Sequence, residues 1–232
     1  GASIAPFKGS NSLASPVSTP VICAYARTPF GRFRGALANY TAVELGTLAV
    51  EGVLERAGID PHSGIIDQVY MGQVLQAGAG QAPARQVAIA AGLPYSTPCT
   101  TINKVCGSSL KAAMVAATEI MAGKSNVVIA GGMESMSQAP HFIRGAKRGD
   151  EISFAELTGI LSHDGLKDAY DGSMMGITGE TIAKEADISR SESDSYALRS
   201  HTLSDLAWEN GWLAEEVVSI DELERDEGIR ID

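Results

Sequence analysis

Between residues 21 and 132, four short apolar or β-favouring runs alternate with three segments of helical period, and this alternation limits the fold more than any other feature. The runs lie at 21–26, 66–71, 99–105 and 126–130, and their length and Gly, Pro or charged boundaries predict strands. Thr41-Ala42-Val43-Glu44 is a capping-box pattern opening a helix that carries Leu45, Leu48, Ala49 and Val53 before Gly58. Pro83 suits the first turn of a second helix, running through 87–91 until Gly92 and Pro94. After Cys106, Leu110, Met114, Ala117 and Met121 form one apolar stripe, ended by Gly123. Strand–helix alternation of this kind predicts an α/β fold, a mostly parallel sheet with covering helices. Ligands in such sheets gather beyond the carboxyl ends of the strands.

Cys106 falls at one of those ends. The run 99–105 stops at the cysteine, Gly107, Ser108 and Ser109 follow, and the helical pattern begins. A thiol at a helix N-terminus meets unpaired N–H groups and the positive end of the dipole, which favour the nucleophilic thiolate. Buried cysteines are common, so on the residues alone a core role stays open beside the nucleophilic one. Cys23, inside an apolar run, is expected to be a small core residue.

Composition removes several function classes. The net charge is −10, and residues 205–232 hold ten acidic and two basic residues, net −8. A basic nucleic-acid surface does not fit this balance, and the acidic end is read as a solvated surface. No run of apolar residues approaches the length of a membrane span. The three cysteines match no zinc spacing, no metal is expected, and few cysteines suit a reducing compartment, with the cytoplasm as default and mitochondrion or peroxisome left open. Residues 1–20 are rich in Ser, Ala and Pro and carry one charge, Lys8; they read as a disordered tail without signal- or transit-peptide character.

Beyond Ser137 the pattern changes to a mostly helical segment. Residues 139–171 lack clear strand patterns, a helix is predicted over 179–186, and Ser189-Arg190-Ser191-Glu192 opens a long helix ending near Gly211. Leu198, Leu203 and Leu206 mark its apolar side, and Trp208 its anchor. Arg144, Lys147 and Arg148 read as a solvated basic cluster. His62, His141, His163 and His201 have no context marking any of them as a base for Cys106.

Several stretches, in order, resemble the thiolases, the coenzyme A-dependent acyltransferases. They are Ala26-Arg27-Thr28-Pro29-Phe30-Gly31, Gly80-Gln81-Ala82-Pro83-Ala84-Arg85-Gln86, Asn103-Lys104-Val105-Cys106-Gly107-Ser108, Gly131-Gly132-Met133-Glu134-Ser135-Met136-Ser137, Met175-Gly176 and Ser189-Arg190. The wording around Cys106 and of the Met-Glu-Ser-Met-Ser turn favours thiolase over a ketoacyl-synthase type of condensing enzyme. The resemblance implies a thiolase-like layered fold, a mostly parallel mixed sheet plus a mainly helical loop domain. It divides the chain into a tail (1–20), an N-terminal core domain lacking its last strand (21–137) and a truncated loop domain binding coenzyme A (138–232).

The resemblance also implies the chemistry. Cys106 would take the acyl group of an acyl-CoA, and a second acyl-CoA would supply the carbanion that makes a 3-ketoacyl-CoA, or the reverse. Leu166 and Met175 would line the pantetheine and acyl pocket. Acetyl-CoA and other coenzyme A thioesters are the implied substrates, with no separate cofactor, and a homodimer or homotetramer is the implied assembly. An acetyl-CoA acetyltransferase is the leading expectation; a 3-ketoacyl-CoA thiolase of β-oxidation and a non-catalytic interaction subunit are the alternatives.

Two departures stand out. Ser109 occupies a position where the family usually has Gly, and Met174 one where short-chain members often have His. The family's Asn-Glu, Gly-His-Pro and second Cys-Gly motifs have no counterpart before Asp232. The chain is therefore expected to be the N-terminal half of such an enzyme (a fragment, an incompletely ordered protein or one part of a split enzyme). It should expose a sheet edge and an uncovered apolar helix face.

Overall fold

A computed structural model describes residues 18–231; most of the predicted tail, 1–17, lies outside the described residues. In chain order the main elements are α1 (Ala42–Ala57), β1 (Gln68–Gly72), α2 (Pro83–Ala90), β2 (Cys99–Ile102), α3 (Ser108–Met121), β3 (Val128–Gly132), β4 (His141–Phe142), β5 (Thr158–Gly159), α4 (Met175–Glu185) and α5 (Arg190–Glu209).

Three strands form one parallel sheet in the order β2-β1-β3. Val69 faces Cys99 on one side and Ile129 on the other, and Gly72 faces Ile102 and Gly132. The α/β architecture is as expected. The antiparallel component is the separate pair β4–β5 and not part of the main sheet. Among the described residues β2 and β3 each pair on one side, leaving the open edges anticipated from the sequence.

The principal core lies between the sheet and the α1–α2 layer. Val50, Leu54, Val69, Met71, Val87, Ala88, Leu93 and Met133 are buried together there. A smaller core on the opposite face joins Tyr70 to Ala112 and Ala116 of α3. The inner face of α1 is set by Ala42, Gly46, Val50 and Leu54, while Leu45 and Leu48 are only partly buried. Glycine decides the rotation: a Cβ at Gly46 would stand 2.7 Å from the Met133 sulfur, so that side of the helix alone can press onto the core.

The same logic sets the inner face of α3. Leu110, Met114 and Met121 are 68%, 52% and 43% exposed, while Ser108, Ala112 and Ala116 face inward. A Cβ at Gly72 would come within 2.6 Å of the Ser108 carbonyl carbon, and one at Gly132 would fall on the Ser109 hydroxyl. The helix start lies so close to β1 and β3 that only small residues fit between them, and the larger side chains turn outward. This is the uncovered apolar helix face expected from the sequence.

Residues 21–26 form no strand. Val21 and Ile22 are exposed, as is Cys23, which is not a core residue. Pairing begins only at Arg27, whose N–H donates to Glu216 O (2.8 Å) and whose carbonyl accepts from Val218 N–H (2.8 Å). An apolar run without a partner strand has no ladder to join. From there residues 216–227 run along the first part of the chain. Arg27 forms a two-pronged pair with Asp226 (2.6 and 3.0 Å) and reaches Glu216 at 2.6 Å. Arg56 donates to the Glu216 and Val217 carbonyls. Trp208, the expected anchor of α5, donates its indole N–H to Asp226 at 3.2 Å.

Candidate active site

The segment between β2 and α3 is a short, heavily bonded elbow. Val105 has φ of 48°, a left-handed conformation that is an outlier for a β-branched residue. Two side chains hold it. Asn103 Oδ1 accepts the Val105 N–H at 2.9 Å. The buried Ser108 hydroxyl accepts the Lys104 N–H at 2.9 Å and donates to the Val105 carbonyl at 2.6 Å. Gly107 N–H and Ser108 N–H close the turn onto the Lys104 and Val105 carbonyls, at 3.1 Å each. The chain thereby reverses at Cys106, directly before the first turn of α3, and presents the thiol to solvent. The core reading of this cysteine is excluded by its exposure.

Cys99, seven residues earlier, is the contrast. It is half-buried, its thiol donates to the Thr97 carbonyl at 3.2 Å, and burial pushes that thiol up from its usual range. Of these two thiols the strand end offers only Cys106 to a substrate.

Two other strand ends converge beside the elbow. The chain leaving β1, residues 73–76, is tied to β2 by Gln73 N–H to the Ile102 carbonyl (3.0 Å). Glu134, two residues past β3, accepts the Val74 N–H at 2.9 Å and the Leu75 N–H at 3.3 Å. Burial pushes the Glu134 carboxyl up despite the two amide donors. The same turn reaches residues 34–40: Ser135 donates to the Tyr40 carbonyl (2.6 Å), Ser137 accepts the Arg34 N–H (2.8 Å), and Gln138 donates to Ala38 (2.6 Å). The sequence marked this turn as a motif but gave Glu134 no task, and it gave Ser108 no more than a small size. The signal for Ser108 was its hydroxyl four residues after Lys104, a spacing that closes a turn.

Leu166 and Met175, expected to line the substrate pocket, are 38% and 42% exposed. Leu166 ends a π-type turn over Leu161–Leu166, and Met175 opens α4. An antiparallel bridge between Lys167 and Met174 brings the two neighbourhoods side by side. Their link to the strand ends passes through Leu75: a Cβ at Gly165 would touch its side chain at 3.4 Å. Two of the four histidines are engaged away from the elbow. His163 pairs with Asp164, His201 accepts the Arg230 N–H, and among the described residues none is bonded to Cys106. Arg144 stacks over Phe142 at 5.2 Å on an exposed loop, with Lys147 and Arg148 exposed beside it. Among the described residues no helix is long and apolar enough to cross a membrane.

An exposed thiol on a strained elbow at a strand end, next to a helix N-terminus, can accept an acyl group. Residues 20–231 match the family described as thiolase, N-terminal domain. A mitochondrial acetyl-CoA acetyltransferase of Danio rerio is 46% identical over 200 residues, 86% of this chain and 47% of the relative. An acetyl-CoA acetyltransferase of Cupriavidus necator is 48% identical over 200 residues, 86% of this chain and 50% of the relative. A probable acetyl-CoA acetyltransferase of Escherichia coli is 46% identical over 200 residues, again 86% and 50%. The chain spans about half the length of the curated relatives it matches.

Proposed function

The chain belongs to the thiolase family, and on that premise we propose that it carries the acyl-accepting half of an acetyl-CoA acetyltransferase site. The observation that carries the proposal is the exposed Cys106, held behind a left-handed Val105 at the end of β2. The Cys106 thiolate attacks the thioester carbonyl of acetyl-CoA, a new S–acyl bond forms, and coenzyme A leaves as its thiolate. A carbanion of a second acyl-CoA then attacks the acyl-cysteine, forming a carbon–carbon bond and freeing the Cys106 thiolate. Exchange of one thiolate for another on the same carbonyl is nearly balanced, so the covalent intermediate is neither a sink nor a barrier. Ping-pong kinetics follow.

In this proposal residues 138–232 act as the loop domain, with Leu166 and Met175 flanking the pantetheine and acyl groups. His163 and His201, engaged with Asp164 and the Arg230 N–H, are not assigned as the base that forms the carbanion. The assembly is a homodimer or homotetramer, and the compartment is the cytoplasm or the mitochondrion, the second supported by the name of the Danio rerio relative.

Incubation with acetyl-CoA followed by peptide mass spectrometry should find acetyl on Cys106, and Cys106→Ala should abolish acyl exchange. Absence of the adduct, with activity surviving Cys106→Ala, would sink the proposal. Met174, exposed at the N-cap of α4, favours a second reading, a 3-ketoacyl-CoA thiolase acting on longer chains. Cleavage of acetoacetyl-CoA faster than of longer 3-ketoacyl-CoA substrates supports the acetyltransferase; the reverse order supports the alternative.

A further inference from the structure

The elbow at Cys106 is not held by its own residues alone. Left-handed backbone at a β-branched residue is strained and persists only where the surroundings over-determine it. Asn103 supplies one restraint, the bond from Val105 N–H to Oδ1. The other end of the same amide, Nδ2, donates to the Val74 carbonyl at 3.4 Å. One planar group therefore spans the elbow and the 73–76 strap, so a shift of the strap turns the amide that holds Val105.

The strap is fixed in turn by side chains rather than by a ladder. Beyond Gln73 N–H, its next two amides are taken by Glu134. Gln73 donates to the Leu75 carbonyl at 3.2 Å, and Gln76 donates to the Gln73 carbonyl at 2.9 Å. Gln73 is 2% exposed, so close packing and its bond to Leu75 hold this folded-in amide although its Oε1 has no partner among the described residues. Glu134 is half-buried, and no Lys or Arg among the described residues pairs with it. Burying a carboxylate without a cation carries a desolvation cost that a smaller or apolar residue would avoid. What the carboxylate provides is two acceptor atoms facing two consecutive N–H groups.

We propose that Glu134 and Asn103 are positioning residues for Cys106, acting in series through the 73–76 strap. Glu134 sets the strap, the strap sets the Asn103 amide, and the amide keeps Val105 left-handed so that the thiol stands clear of the strand end. The inference rests on the reading of Cys106 as the acyl acceptor, and it adds two residues that are not hydrogen-bonded to the thiol.

Two readouts test it on the full protein: amide hydrogen exchange, and single-turnover acetylation of Cys106 by acetyl-CoA. Glu134→Ala should accelerate exchange at Val74 and Leu75 and also, about ten-fold, at Val105, while Val69 in β1 keeps its protection. Acetylation should slow about ten-fold with little change in the half-saturating acetyl-CoA concentration. Glu134→Gln, which retains one acceptor, should restore part of both. Asn103→Asp keeps the bond to Val105 but loses the donor to Val74, and should slow acetylation to a similar degree. Because the residues act in series, the double variant Glu134→Ala/Asn103→Asp should be no slower than the slower single variant.

Exchange that rises at Val74 and Leu75 alone overturns the proposal, as do rates that multiply in the double variant. Equal acceleration at Val69 marks general loosening and overturns it too. A wild-type protein whose Cys106 takes no acetyl group refutes the acyltransferase reading instead, and the exchange results still decide whether the strap holds the elbow.

Discussion

Helices α1 and α5 begin with the same device and end in different surroundings. In α1 the Thr41 N–H donates to Glu44 at 2.7 Å and Glu44 N–H returns to the Thr41 hydroxyl at 3.2 Å. In α5 the Ser189 N–H donates to Glu192 at 2.8 Å and Glu192 N–H returns at 3.2 Å. Both caps hold the glutamate below its usual range through these bonds. Yet α1 buries Ala42, Gly46, Val50, Gly52 and Leu54, whereas α5 buries none of its twenty residues. Capping is a local contract between residues three apart; burial depends on what the rest of the chain brings alongside. The contrast extends to the elements around them, since residues of α1, β1 and α2 join one buried core and no residue of α4 or α5 is buried.

The comparison is broken most directly by truncating one leucine on each helix. Leu54→Ala removes a side chain that is 4% exposed and should cost about 3 kcal/mol in urea unfolding. Leu203→Ala, at 46% exposure, stands at the other end of the scale and is taken last.

Next in size is the tie between residues 216–227 and the start of the chain. Asp226→Asn should cost about 2 kcal/mol, because Arg27 and the Trp208 indole lose a charged partner in a site where Asp226 is only 14% exposed. Burial raises the Asp226 carboxyl, but the bonds from Arg27, Phe30 N–H and Trp208 outweigh it and hold it below the usual range. A carboxyl lowered by folding adds stability above its ordinary value, and that stability is lost as the pH falls through the lowered one. The wild-type advantage over Asp226→Asn should therefore be full at neutral pH and shrink below about pH 4. A constant difference across that range would refute the pairing. Glu134 runs the other way: its raised carboxyl contributes fully below the ordinary value and loses that contribution as the pH rises through the raised one.

Loss of the cap on α1 comes third. Thr41→Ala should lower stability by about 1 kcal/mol. Ser189→Ala should instead leave the global midpoint unchanged and raise amide exchange only in the first turn of α5. A shared drop in midpoint would show that α5 is as deeply coupled to the core as α1. Smallest is Leu203→Ala, expected within about 0.5 kcal/mol of wild type.

Much of this was legible in the residues because it is local. Both capping boxes, the start of α2 at Pro83 and the placement of Cys106 between a strand and a helix follow from spacing alone. Which side of a helix turns inward did not. Leu110, Met114 and Met121 marked an apolar stripe without showing which side faces the sheet, and the closeness of Gly72 and Gly132 to the start of α3 reserved the inner face for Ser and Ala. Residues 21–26 had strand composition without a strand beside them. Glu134 was invisible as a site residue because its partners, Val74 and Leu75, offer only backbone N–H groups, which every residue carries.

The sequence by itself determined the helix–strand alternation from α1 to β3, the capped starts of α1 and α5 and the thiolase wording that singles out Cys106, since each is a relation among residues a few positions apart; α4 starts at Met175, four residues before the helix predicted over 179–186. Only the tertiary structure decided that Cys106 is exposed while Cys99 is half-buried, that Val105 is left-handed, and that the amide holding it is braced by a strap from another strand. Burial and backbone strain are set by atoms distant in sequence, and pairwise closeness across a parallel sheet leaves no periodic trace along the chain.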